Sequence, residues 1–374
     1  MKAFYCCLIF YCFFNLQCTQ ANDKLVTAIA AIMEEENETK HFSGSVVVGL
    51  QEHILFKENF GYANRQTKRT IVEDTYFDIA SINKSFIAAL ILLAVEEGKL
   101  DLNTKLIAQL NNYSYTGTFH PHINIHHLLS HTAGLGDYQH IDKELAANNF
   151  TAFKSMHFDN ASYVDFISRV PSFHTPGEHY YYSNFGYHLL CIILEDIYQK
   201  SFADLLDEKI CKPYGFQHLF SPKSRVGLNE IAAEGYNLVD NKWVPNMYID
   251  LSLGRRIYAS ATDLYQWGLL VKKVGVLQQK SFDMMFSNHL EGISKEYTYG
   301  YGWAVHENGD ELAPGNIGIQ ESYIIHGGQT DGFKSILILL DNGYQISLLS
   351  NSGNQTAIMD LSQKLVKTII ENEK

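Results

Sequence analysis

Positive charge is scarce in this chain. Lys and Arg number 29 against 41 Asp and Glu, for a formal net charge of −12. Nucleic acids and anionic membrane surfaces reward a basic face, so neither is expected as a partner. Cysteine is scarcer still. Four of the six (Cys6, Cys7, Cys12 and Cys18) crowd the N-terminus, leaving only Cys191 and Cys211. With no C-x-x-C pair, a disulfide framework and a cysteine zinc site are both excluded. Cys191 lies in the apolar run LLCIIL and reads as a small core residue; a bridge to Cys211 would need an oxidising compartment. No internal repeat, low-complexity linker or G-x-S-x-G elbow occurs, so an α/β-hydrolase is disfavoured. His127 and His131 have the i, i+4 spacing of a zincin helix, but Leu128 stands where the glutamate belongs. His120, His122 and His126 read as solvated loop histidines and His127 and His131 as structural ones, and no metal or cofactor is expected.

The apolar run at 3–14 is too short to span a bilayer comfortably. Lys2 precedes it, and Thr19 and Ala21 follow at small-residue spacing. This is the pattern of a signal peptide, residues 1–21, cut near Ala21. An uncleaved anchor is the alternative. Lipid attachment at Cys18 is disfavoured by Gln17 before it. A secreted or periplasmic location is expected, with no membrane contact beyond the export signal.

The rest, 22–374, reads as one domain. A helix is expected over about 24–36, then a β-hairpin in SGSVVVGLQEHILFKENFGYAN. Residues 100–222 read as mostly helical. The C-terminal segments YGWAVHENG, ESYIIHGG, FKSILILLDNG and YQISLLSNSG read as strands, followed by a closing helix in AIMDLSQKLVKTIIEN. Strands at both ends with helices between predict an α+β fold, whose antiparallel sheet joins the termini and carries a helical insert.

In FDIASINKSFIAALILLAVEEG, Phe86, Leu90, Leu93 and Ala94 recur at helical spacing, and Gly98 follows where the helix should stop. Lys84 interrupts this apolar pattern three residues after Ser81. Residues three apart share a helix face, so Lys84 can reach Ser81 Oγ. A serine hydroxyl needs a base beside it to become a nucleophile. A solvated lysine, with a pKa of ~10.4, is protonated, and bringing it to about 7 takes about 4 kcal/mol of differential solvation. Ile82 and Phe86 could supply that desolvation. Alone, S-x-x-K equally fits a lysine that snorkels to solvent with no chemical role.

S81-I-N-K84 resembles the first motif of the serine β-lactamase and penicillin-binding protein superfamily, in the branch with class C β-lactamases, D-alanyl-D-alanine carboxypeptidases and β-lactamase-like esterases. Tyr182-Ser183-Asn184 is similar to its second motif, Y-x-N. The earlier Tyr62-Ala63-Asn64 precedes Ser81 and reads as a strand end. His326-Gly327-Gly328 is similar to the third motif; no K-[ST]-G occurs. The resemblance covers nearly the whole chain after the leader. It implies Ser81 as the acylated nucleophile, with Lys84 and Tyr182 sharing the proton transfers. Asn184 would hold Lys84 and the substrate amide. The backbone N–H groups of Ser81 and Gln329 would form an oxyanion hole, and Gly327 and Gly328 would let the strand approach the substrate. The expected partner is a small-molecule or peptide substrate. Histidine at 326, where dedicated penicillin and D-Ala-D-Ala enzymes usually carry lysine, holds a carboxylate less firmly. That shifts the expectation toward an esterase or a D-amino-acid peptidase, with a true β-lactamase as the alternative. A non-catalytic scaffold or filament subunit is the alternative of another class. Gly254-Arg255-Arg256 replaces a more glycine-rich segment, and the sequence leaves the place of those arginines open.

Overall fold

The computed structural model describes residues 23–138, 158–224, 227–246, 255–273, 275–307, 316–330 and 332–373. The expected leader and Gly254 lie outside the described residues. The first helix, α1, runs over 23–40 and buries Leu25, Ile29 and Met33, one per turn. Two strands follow, β1 (Gly44–Leu50) and β2 (His53–Phe60). β1 is the near-continuous apolar run of a strand covered on both faces. Helix α2 (Asn83–Glu96) buries most of its side chains, as its all-round apolar sequence requires. Helices α3 (Ile125–Leu129), α4 (Asn184–Tyr198) and α5 (Ala261–Val271) come next. Between α2 and α4 the helices are short, and much of 99–124 is turns.

The last part adds β3 (Ala304–His306), β4 (Tyr323–Thr330), β5 (Phe333–Leu340), β6 (Tyr344–Ser350) and helix α6 (Ile358–Asn372). One six-stranded sheet has the order β3-β4-β5-β6-β1-β2. Every neighbour is antiparallel, and β1 pairs with β6 from Gly44↔Ser350 to Leu50↔Tyr344. The first and the last strand of the sheet in chain order, β1 and β6, therefore lie side by side within it. Alternation along each strand gives two cores. Val46, Val48, Ile336 and Ile338 pack with α1 and α6. Val47, Leu337 and Leu339 face the other way, toward α2, α4 and α5. Cys191 and Cys211 are both free and buried. Burial pushes each thiol up to about 12, so both behave as small protonated core groups. No described helix is long and apolar enough to cross a membrane.

Candidate active site

Ser81 lies in a 3-10 turn, Ala80–Ile82, that leads directly into α2. Ala80 adopts the left-handed region at φ 48°, an uncommon conformation for a residue with a Cβ. Two contacts hold this turn. Ala80 N–H donates to Asp78 Oδ1 at 2.9 Å. Asp78 is 1 % exposed and pairs with the guanidinium of Arg256 at 2.9 Å. Arg255 is buried too, paired with Glu195 at 2.9 Å. Neither arginine lines the cleft beside Ser81; each braces the scaffold behind it.

Lys84, one turn on, is 4 % exposed. Its Nζ lies 3.2 Å from Ser81 Oγ and donates to Asn184 Oδ1 at 2.8 Å. Asn184 opens α4, and its Nδ2 donates to Asp137 Oδ2 at 2.9 Å. That second bond fixes the amide orientation, so the oxygen must face Lys84. Asp137 also accepts from the N–H groups of Asn184 and Tyr138. Burial raises its pKa, against the pull of those hydrogen bonds and of Lys84. The chain Asp137–Asn184–Lys84–Ser81 thus links a buried carboxylate to the serine.

Tyr182 enters this cluster by its ring, with Lys84 Nζ 5.0 Å from the ring centroid. Its hydroxyl is not among the hydrogen-bond partners of Lys84. His131 sets its position. The His131 carbonyl accepts Tyr181 N–H at 2.8 Å. Its Nδ1 accepts Ser183 N–H at 3.2 Å, and its ring lies 4.2 Å from that of Tyr182. The backbone on both sides of Tyr182 is therefore pinned by one histidine. His126 and His127 serve packing and capping. His126 Nδ1 bonds the Tyr301 hydroxyl, and His127 Nδ1 accepts Asn124 N–H at the start of α3.

The third segment arrives on β4. Thr330 pairs with Phe333 across a two-residue loop, which makes theirs a hydrogen-bonded pair. Alternation along the ladder then leaves Gln329 and Gly327 with N–H and C=O turned away from β5, toward the open edge of β4. His326 Nδ1 donates to the Gly327 carbonyl at 2.8 Å. Its Nε2 then accepts from the Tyr299 hydroxyl at 3.2 Å. Gly328 packs against the serine turn. A Cβ there would stand 2.5 Å from Ile79 O, so only glycine lets strand and turn approach this closely. Ser81, Tyr182, Asn184, His326, Gly327, Gly328 and Gln329 all line one cleft of about 460 Å³. Lys84 lies just beneath Ser81. The arrangement sets an amine beside a hydroxyl, with an outward strand N–H in the same cleft, as acyl transfer requires.

Sequence reasoning missed Asp137, Asp78 and Tyr299, and read His131 as structural without its link to Tyr182.

Three histidines here are neutral. Burial, then Lys84, takes His326 from its ordinary 6.5 to about 3. Burial, then His289 and His127, takes His126 to about 4. Burial, with Lys84 and His326, sends His131 well below its ordinary value. A group with a depressed folded pKa contributes stability above its unfolded pKa and loses it as pH falls through the folded pKa. Below about 6.5, then, the unfolded chain takes up protons that the folded chain refuses. Each histidine costs about 1.4 kcal/mol per pH unit in that window. Urea midpoints are expected to fall steeply between about pH 6.5 and about pH 5, and His326→Gln should flatten the slope. A midpoint constant over that range would refute the neutral assignments.

The antiparallel sheet with helices on both faces is the β-lactamase/transpeptidase-like fold. Residues 26–365 match the Beta-lactamase family, and the chain belongs to that family, whose members are generally serine hydrolases. It is 27 % identical over 346 residues to a penicillin-binding protein of Bacillus subtilis (strain 168), covering 88 % of this chain and 72 % of that one. Among solved structures it is similar to D-amino acid amidase from Ochrobactrum anthropi SV3. There the TM-score is 0.73 and the identity 21 %, over 94 % of this chain and 100 % of the other. It is also similar to EstCE1, a hydrolase with promiscuous acyltransferase activity. That TM-score is 0.72 at 18 % identity, over 93 % of this chain and 99 % of the other.

Proposed function

We propose that this chain is an exported serine hydrolase that forms an acyl-enzyme on Ser81 and cleaves an amide or ester. The substrate is a D-amino-acid peptide, such as a peptidoglycan-type peptide, or a small ester. The observation that carries this reading is Lys84 Nζ within hydrogen-bond reach of both Ser81 Oγ and Asn184 Oδ1 beneath the cleft. Ser81 Oγ attacks the carbonyl carbon, and its proton passes to the Lys84–Tyr182 pair. The developing oxyanion sits between the N–H groups of Ser81 and Gln329, each such donor supplying about 3–4 kcal/mol. Collapse breaks the bond to the amine or alcohol, which leaves with the proton. Water then releases the acid and restores Ser81. A neutral, buried His326 holds a substrate carboxylate less firmly than an ammonium would, which favours peptidase or esterase over β-lactamase. The leader pattern at 1–21 supports a secreted or periplasmic location.

The test is intact-protein mass spectrometry after incubation with a fluorophosphonate and, separately, with a penicillin. A phosphonyl adduct mapped to Ser81, absent from Ser81→Ala, is the expected result. A stable penicilloyl adduct would point to a carboxypeptidase-like pocket. Rapid penicillin hydrolysis would point to a β-lactamase. No adduct and no hydrolysis would overturn the enzyme reading in favour of a non-catalytic scaffold.

A further inference from the structure

Ser335 is a polar residue at the head of the apolar run of β5, and it is fully buried. A buried hydroxyl is costly unless it is hydrogen-bonded. Its Oγ donates to the Ile79 carbonyl at 2.7 Å, at the entry to the serine turn. The same peptide unit is held at its other end, where Ala80 N–H donates to Asp78 Oδ1 at 2.9 Å. The Ile79 carbonyl also accepts Ile82 N–H at 3.2 Å, which closes the turn over Ser81. The peptide between Ile79 and Ala80 therefore cannot rotate without breaking bonds on both sides. Its orientation sets the φ of Ala80, which is 48°. A residue with a Cβ leaves that region when nothing holds it there.

The reach of Ser335 depends on Gly328, its partner across β4 and β5. A Cβ on Gly328 would stand 2.2 Å from Ser335 Oγ, so glycine opens the gap through which the hydroxyl meets the turn. Gln329 is the next residue of β4. One hydroxyl thus ties the strand pair that carries the Gln329 N–H to the turn that carries the Ser81 N–H. Ser335 itself does not line the cleft.

We propose that Ser335 is a positioning residue for acyl transfer. Its hydroxyl holds the peptide between Ile79 and Ala80, and so fixes the spacing of the two backbone N–H groups that receive the oxyanion. This rests on the hydrolase reading above and adds to it a residue that acts from behind the cleft. Such donors are effective only when they are fixed in place before the charge develops.

Threonine and valine have the same shape and differ by the hydroxyl. Comparing Ser335→Thr with Ser335→Val therefore cancels the effect of the added methyl. The readouts are kcat and KM on p-nitrophenyl acetate and the affinity for phenylboronic acid, whose tetrahedral adduct on Ser81 places an oxygen between the same N–H groups. Ser335→Val is expected to fall about 10- to 100-fold below Ser335→Thr in kcat/KM, with the loss in kcat. Boronate affinity should fall in proportion, since the adduct mimics the transition state. Urea midpoints identify the folded variants. If the branched variants do not fold, Ser335→Ala against wild type makes the same comparison. Where hydrolysis depends on Ser81, agreement within about twofold in both readouts overturns the positioning role and leaves the hydrolase standing. A fall in turnover with boronate affinity unchanged overturns it too, because the hydroxyl then acts elsewhere than on the oxyanion donors. If Ser81→Ala hydrolyses as well as wild type, the hydrolase reading fails and this inference falls with it.

Discussion

Lys84→Met is expected to lose about as much turnover as Ser81→Ala, and the double variant no more than either alone. Groups that act as one unit are strongly non-additive, and the loss of a nucleophile or its base can reach about a millionfold. A general base alone contributes about 10²- to 10⁴-fold. Here the amine and hydroxyl lie 3.2 Å apart, so removing either leaves the other without its function. Methionine keeps the length of the side chain and suits the apolar surroundings of α2. It leaves Asn184 Oδ1 without its donor, at a cost of about 1–3 kcal/mol, which a domain of this size survives. The measurement is kcat/KM on p-nitrophenyl acetate for the two single variants and the double. Lys84→Met within about tenfold of wild type would remove the lysine from the proton transfer.

Asp78→Ala is expected to cost about 3–5 kcal/mol of folding stability, because it breaks a buried ion pair by removing the Asp78 carboxylate from the buried Arg256 guanidinium. That is a large share of the roughly 5–15 kcal/mol that holds a domain together. Removing both charges, in Asp78→Ala with Arg256→Met, should cost less than the sum of the two single variants, since the two side chains are paired with each other. Urea unfolding of both single variants and the double gives the cycle. A loss below about 1 kcal/mol for Asp78→Ala would show that this ion pair does not hold the turn. Turnover should fall as well. Asp78 Oδ1 accepts the Ala80 N–H and so holds the left-handed residue that sets the pitch of Ser81.

The parts of the site legible in the sequence are those with local spacing. Ser81 and Lys84 share a helix face because they are three apart, and the helix was visible in its apolar residues. The hairpin of β1 and β2 and the run of strands at the C-terminus were legible for the same reason. Alternation and turn residues are short-range signals. Asp137 and Asp78 carry no such signal. Each sits in a loop or a two-residue strand, and its value lies in a partner far along the chain: Asn184 for one, Arg256 for the other. His131 was read as a structural histidine. Only the folded chain shows that what it structures is the backbone around Tyr182. The arginine pair at 255 and 256, open in the sequence, turns out to be bracing.

The meeting of β1 and β6 has a consequence for how the molecule is made. Ser43 Oγ bonds Asn351 Oδ1 at 2.7 Å across 308 residues of chain. Contacts of such separation raise the contact order and slow the search for the native state. On a ribosome, β1 must wait without this neighbour until β6 has been made. The serine turn waits as well, because the strand that packs on it at Gly328 is also synthesised late. A chain that stops before β4 therefore carries Ser81 and Lys84 but not the strand that closes the cleft around them.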